Sequence, residues 1–222
     1  MSENPYPAAR LTRDLAALVL VDHQVGLLLG VHDHDQEQLR RNVIALARVA
    51  QAYQLPVVIT TSADDGPNGV LLPELAQVLP DASVIRRPGE IDAFDNEQFA
   101  AAVQATGRDQ LIIAGISTDV CVTFAALSAV AAGYQTHAVL DASGTWNALA
   151  SHAAAARMQG AGVVLNSTVA VAAELQRDWR HAGGQELAGL YAQHAIPFYG
   201  SLISYVVPAA EPACRADPSA GV

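Results

Sequence analysis

Lysine is missing from this chain, and cysteine nearly so. All 12 basic residues are therefore arginines. An arginine keeps its proton under ordinary conditions, so a cation recruited to a site here is a fixed charge. The two cysteines, Cys121 and Cys214, lie in mid-chain and in the tail. They suggest no disulfide framework, which points to a reducing compartment, the cytoplasm. Positive charge is scarce: 12 basic residues face 22 acidic ones, for a net charge of −10. That excludes a general basic face for nucleic acid or for an anionic membrane. Long apolar runs are absent too, and none approaches the ~20 residues that span a bilayer. The opening MSENPYPAAR has no basic n-region and no apolar h-region, so no signal peptide is expected.

What is present is apolar material in short pieces. Hydrophobic residues make up 51% of the 222 positions and charged residues 15%, and mean hydropathy is +0.22. So much apolar material implies a large buried sheet, with subunit interfaces besides. Apolar, β-branched runs at 15–21, 55–61, 83–87, 110–116, 136–141 and 162–167 read as strands. Their interiors are nearly continuous Val, Ile, Leu and Ala, as in parallel strands buried on both faces. Helical patterns fall between them, at about 37–53, 73–78, 95–106, 119–132, 149–160 and 168–179. Leu39, Val43, Leu46, Ala47 and Ala50 form one apolar stripe on the first of these. Six strand–helix pairs predict a three-layer α/β/α fold with a six-stranded parallel, Rossmann-like sheet. A single domain is expected over 1–207. It ends in one short helix near 186–194 and an irregular stretch, with 208–222 as a flexible tail or interface arm.

In open parallel sheets, ligands bind outside the carboxyl ends of the strands. Asp22-His23-Gln24 follows the first strand, and Ser62 to Gly69 follows the second. Arg86-Arg87-Pro88-Gly89-Glu90 ends the third, Ser117 to Cys121 follows the fourth, and Asp141 to Trp146 the fifth. An acid, a cation and a thiol thus converge on one edge. Cys121 stands where a strand gives way to a helix, and the helix's free N–H groups there would favour the thiolate. In this grouping Asp22 carries protons, Arg87 supplies charge, Cys121 attacks, and the N–H groups of Ser117 and Cys121 receive an oxyanion. Arg86 competes with Arg87, but strand neighbours point to opposite faces, so only one reaches the site. His23, Asn96, Thr145 and Trp146 are candidate pocket residues. His32-Asp33-His34-Asp35 reads as a solvated loop rather than a metal site.

Three motifs in order carry a family resemblance: Val-Asp-His-Gln at 21–24, Arg-Pro-Gly-Glu-Ile-Asp-Ala-Phe-Asp-Asn at 87–96, and Gly-Ile-Ser-Thr-Asp-Val-Cys-Val at 115–122. The chain resembles the isochorismatase-like cysteine hydrolases over residues 10–207. The Asp141-Ala-Ser-Gly-Thr and Glu174-Leu-Gln-Arg-Asp-Trp segments look like the YcaC-related branch. The resemblance implies that family's fold and places its Asp–Lys/Arg–Cys triad on Asp22, Arg87 and Cys121. It also implies a non-proline cis peptide between Ile116 and Ser117, and a ring-based homo-oligomer such as an octamer. No cofactor or metal is expected: the stretch after the second strand has no histidine, unlike the nicotinamidase branch. The expectation is a hydrolase that cleaves a C–N bond of a small amide-like substrate through a covalent Cys121 intermediate. The alternatives are a non-catalytic protein that keeps the pocket for a small ligand, and a redox thiol, for which Cys214 is a poor resolving partner. The substrate stays open.

Overall fold

The computed structural model of the chain describes residues 10–206. Six strands form one sheet: β1 (Ala16–Val21), β2 (Val57–Ser62), β3 (Ser83–Arg87), β4 (Gln110–Gly115), β5 (Gln135–Val139) and β6 (Val164–Asn166). Every neighbouring pair is parallel, and the spatial order is β3-β2-β1-β4-β5-β6. The helices are α1 (Val25–Leu29), α2 (Gln36–Ala52), α3 (Pro73–Val78), α4 (Glu97–Ala105), α5 (Thr123–Ala131), α6 (Ala148–Gly160), α7 (Thr168–Gln176), α8 (Gly184–Leu190) and α9 (Pro197–Val206).

The continuous apolar strands are explained by their position. All six residues of β1 and of β4 are buried. Alternate side chains serve two cores, because successive residues of a strand face opposite ways. Leu18, Leu20, Ile112 and Ala114 pack with Leu39, Val43, Leu46, Ala47 and Ala50 of α2 and Val171 and Leu175 of α7. Val19, Val21, Leu111 and Ile113 pack with Phe99 and Val103 of α4, Ala125 and Ala129 of α5, and Met158 of α6. Each fully buried aliphatic or aromatic side chain contributes about 1.5–3 kcal/mol. No described helix is long and apolar enough to cross a membrane.

Several elements differ from the reading of the sequence. The short helix α1 follows Gln24 with no side-chain cap, so it carried no start signal. Asn96 caps α4, its side chain accepting from the Phe99 N–H at 3.0 Å, so that helix begins at Glu97. Helix α7 stops early at Arg177, whose φ is +66°. The stretch beyond His181 is not one helix and a loose end: α8 runs through a wide turn at Tyr191–Ala195 into α9. Trp179, Tyr191 and Tyr199 pack there with ring centroids 5.7, 6.4 and 5.9 Å apart. Spacing along the chain does not reveal that cluster. The tail 208–222 and Cys214 lie outside the described residues.

Candidate active site

The direction of the chain from β1 reverses between β1 and β4, which are hydrogen-bonded neighbours that lead outward to opposite edges. A crevice at the carboxyl ends of such a pair is the place where doubly wound sheets bind ligands. Val21 pairs with Gly115, so Asp22 and Ile116 leave the sheet side by side. Only glycine fits at 115, because a Cβ there would stand 2.2 Å from the Val21 carbonyl oxygen.

Asp22 takes a left-handed backbone conformation, φ +57°, held by its N–H on the Thr60 carbonyl at 2.9 Å. Such conformations are rare outside glycine and cluster at functional sites, and aspartate tolerates them better than most residues. The turn lets the side chain meet Arg87, whose Nη2 donates to both carboxylate oxygens at 2.6 and 2.5 Å. Arg87 Nε donates to Thr60 Oγ1 at 2.9 Å, and Nη1 donates to the Glu90 carbonyl. Both side chains of this ion pair are almost fully shielded from solvent. Strand alternation resolves the rivalry between the two arginines. Arg86 points outward, 78% exposed, and pairs with Asp64 at 3.3 Å. Glu90 meets Arg87 through its backbone, while its carboxylate accepts from Asn96 at 3.0 Å.

After β4 the Ile116–Ser117 peptide is cis, in agreement with the resemblance. The chain then makes a wide turn at Thr118–Val122, closed by the Val122 N–H on the Ser117 carbonyl at 3.0 Å. Thr123 Oγ1 donates to the Thr118 carbonyl at 2.7 Å. This turn carries Cys121 to a partly buried position facing Asp22. Ser143 steadies the strand end from the side, accepting from the Gly115 N–H at 3.1 Å and donating to the Val139 carbonyl at 2.7 Å.

The electrostatics differ from the expected thiolate. Burial, then the negative charge and hydrogen bonding of Asp22, push the Cys121 thiol up to about 12, although the Ser117 N–H and Arg87 pull the other way. Burial also raises the Asp22 carboxyl, opposed by the charge and hydrogen bonds of Arg87 and by the thiol. A helix start was expected to ionise the sulfur. Instead the helix proper begins at Thr123, and the nearest full charge to the sulfur is a carboxylate. The resting pair is a neutral thiol beside an ion-paired carboxylate.

Asp22 and Cys121 open into a cavity of about 230 Å³ lined also by Leu27, Ser62, Asn68, Ile91, Ser117, Val120 and Trp146. Of the four side chains expected at the pocket, Trp146 lines it and three do not. His23 is fully buried and turned away, its Nε2 2.9 Å from the Ala142 carbonyl, and desolvation lowers its pKa to about 4. Asn96 is occupied as the α4 cap and the Glu90 partner. Thr145 is buried, donating from Oγ1 to Asp119 at 2.7 Å while its N–H reaches Asp33 at 2.9 Å. The latter bond also corrects the reading of a wholly solvated His32–Asp35 loop, since the Asp33 side chain is 4% exposed. Among the described residues, no group of three or more His, Cys, Asp or Glu is placed to hold a metal ion.

Sequence reading missed the apolar lining, Leu27, Ile91 and Val120. No motif marks an apolar pocket wall, since these residues look like any core side chain. Ser62 and Asn68 had a signal: the Gly66-Pro67-Asn68-Gly69 turn follows β2 at the right edge. The link that fixes this turn is Gln24. Its Oε1 accepts from the Ser62 N–H at 2.9 Å, and its Nε2 donates to the carbonyls of Ser62 at 3.1 Å and Gly69 at 2.6 Å.

Comparison with known proteins gives the family of the chain. The isochorismatase domain model matches residues 16–169. Probable hydrolase YcaC of Escherichia coli (strain K12) is 48% identical over 198 residues, 89% of this chain and 94% of that protein. Its crystal structure, described as an octameric hydrolase of unknown specificity, superposes with a TM-score of 0.88, covering 93% of this chain and 100% of that one. YcaC from Pseudomonas aeruginosa, solved with hexane-2,5-diol and covalent acrylamide, is 46% identical with a TM-score of 0.87, covering 91% and 99%. Family-model match, identity and superposition all lead to one assignment: the chain belongs to the isochorismatase family, in its YcaC-related branch.

Proposed function

We propose that this protein is a cysteine hydrolase that cleaves a C–N bond of a small amide-like substrate through a thioester on Cys121. The single observation that carries this reading is that Asp22 and Cys121 line one small cavity, with Arg87 buried behind Asp22 and paired to it. A relative that is 46% identical was solved with covalent acrylamide, itself a small amide, which supports a nucleophile within reach of such a molecule.

The proposed chemistry follows from where the proton rests. The substrate carbonyl carbon approaches Sγ, and Asp22 takes the thiol proton as the S–C bond forms. Asp22 is suited to this because burial raises its proton affinity while the charge and hydrogen bonds of Arg87 oppose that rise. The negative charge that leaves the sulfur settles on the carbonyl oxygen, where the N–H groups of Ser117 and Cys121 receive it. Asp22 then returns the proton to the leaving nitrogen, the C–N bond breaks, and a thioester remains. Water, deprotonated by Asp22, releases the acid and restores the thiol. Arg87 stays charged throughout and holds Asp22 in place.

The test is a screen of small amides, carbamoyl compounds and nitriles, with wild type beside Cys121→Ala. Turnover by the wild type and none by the variant is expected. Equal rates would remove Cys121 from the mechanism. The octameric state of the Escherichia coli relative, together with the exposed Leu29 and Leu149, supports a homo-octamer here as well.

A further inference from the structure

Among the described residues, those lining the Cys121 cavity offer no free cation to a substrate. Among its lining residues the polar ones are Asp22, Ser62, Asn68, Ser117 and Cys121, and the walls are Leu27, Ile91, Val120 and Trp146. Arg87 stands behind Asp22 with its donors committed to Asp22, Thr60 and the Glu90 carbonyl. Arg86, next to it in sequence, lies outside on Asp64. The pocket floor thus holds one carboxylate already matched to one guanidinium. An added anion would lose its hydration among apolar side chains and meet no counter-charge. The whole chain, at −10, also repels anions. The cavity, about 230 Å³, falls below the ~300 Å³ at which drug-sized pockets begin.

We infer that the substrate is a small uncharged amide with a short apolar acyl arm, and that carboxylate-bearing amides of the same size are rejected; this rests on the hydrolase reading above. The acyl arm lies against Leu27, Ile91, Val120 and Trp146, and the carbonyl faces Ser117. The reaction balances as an ordinary hydrolysis. Amide and water give a carboxylic acid and an amine, the S–C bond forms and breaks in turn, and nothing is oxidised or reduced. The inference also accounts for product release: the new carboxylate appears beside Asp22 with no cation to retain it.

Two pairs matched in size but differing in charge test this. The first is Cys121 alkylation at pH 9 by iodoacetamide and by iodoacetate, each rate divided by that of free cysteine and followed by the mass of the proteolytic peptide that carries Cys121. The second is kcat/KM for butyramide and for succinamate, which is butyramide with its terminal methyl replaced by a carboxylate. The normalised alkylation ratio should favour the neutral reagent at least about tenfold, and butyramide should win by about 100-fold or more, the scale on which unpaired polar groups are refused by apolar sites. Ile91→Arg, which sets a cation at the rim, should narrow both ratios. Equal normalised alkylation, or succinamate turned over as well as butyramide, overturns the inference and leaves the hydrolase reading intact. Retained alkylation preference with no turnover of either amide or of any compound in the amide, carbamoyl and nitrile screen defeats the hydrolase reading and supports the charge selectivity of the pocket.

Discussion

Asp22 and Arg87 are buried together, and each depends on the other. Arg87→Gln removes the cation and leaves a carboxyl group without its counter-charge in a dry site. Breaking a buried pair in this way costs about 3–5 kcal/mol. Urea denaturation should show a loss of that size, larger at pH 8 than at pH 5, because protonation relieves the orphaned carboxylate. A change within ~1 kcal/mol would show that the pair contributes little. Cys121 has its own pH signature. A free thiol titrates near 8.5, whereas this one is pushed up to about 12. Below pH 8.5 folded and unfolded chains both hold the proton, and no difference arises. Between the two values the unfolded chain releases it and the folded chain does not, so stability falls as pH rises, by at most about 1.4 kcal/mol per pH unit. Melting curves from pH 8.5 to 10.5 should therefore decline more steeply for wild type than for Cys121→Ala. Parallel curves would mean that the thiol is not held protonated.

At the scale of elements, the cavity depends on the turn that leaves the end of β2. Residues 62–69 are fastened to the end of β1 by the Gln24 amide. Gly26 lets the backbones approach, since a Cβ there would fall 2.0 Å from the Pro67 carbonyl oxygen. Gln24→Leu leaves the Ser62 N–H and the Gly69 carbonyl without that side-chain partner. A loss of about 2–3 kcal/mol is expected, as for buried polar groups stripped of their bonds. Hydrogen exchange should quicken across 62–69 while β4 keeps its protection. Unaltered exchange in 62–69 would show that something other than Gln24 holds the turn. The C-terminal elements α8 and α9 form around the Trp179, Tyr191 and Tyr199 rings, on the same side of the sheet as α2 and α7.

For the whole molecule, the strand order decides where chemistry is possible. Asp22 and Cys121 are far apart in sequence, yet they meet because β1 and β4 are neighbours at the switch point. Large apolar side chains remain exposed near that edge, with Leu29 at 73% and Leu149 at 78%. The proposed octamer would cover such surface. Light scattering should give eight times the chain mass of 23.2 kDa, and a particle of one chain mass would refute it.

Some of this was legible in the residues themselves. Continuous apolar runs of six or so, separated by helical periodicity, suffice for a parallel sheet, because only strands buried on both faces need them. Alternation along a strand meant that only one of Arg86 and Arg87 could reach the site, and the Arg-Pro-Gly match favoured Arg87. The motif order placed Asp22, Arg87 and Cys121 at three strand ends. What the tertiary structure alone decided was environment. Whether His23 lines a pocket or packs against Ala142 depends on which way one ring turns. Whether Cys121 rests as thiol or thiolate depends on its burial and on a carboxylate contributed from another strand. Solvent exclusion and through-space charge arise only when distant segments meet. Local spacing therefore names the reacting groups and leaves their protonation, and the walls around them, to the fold.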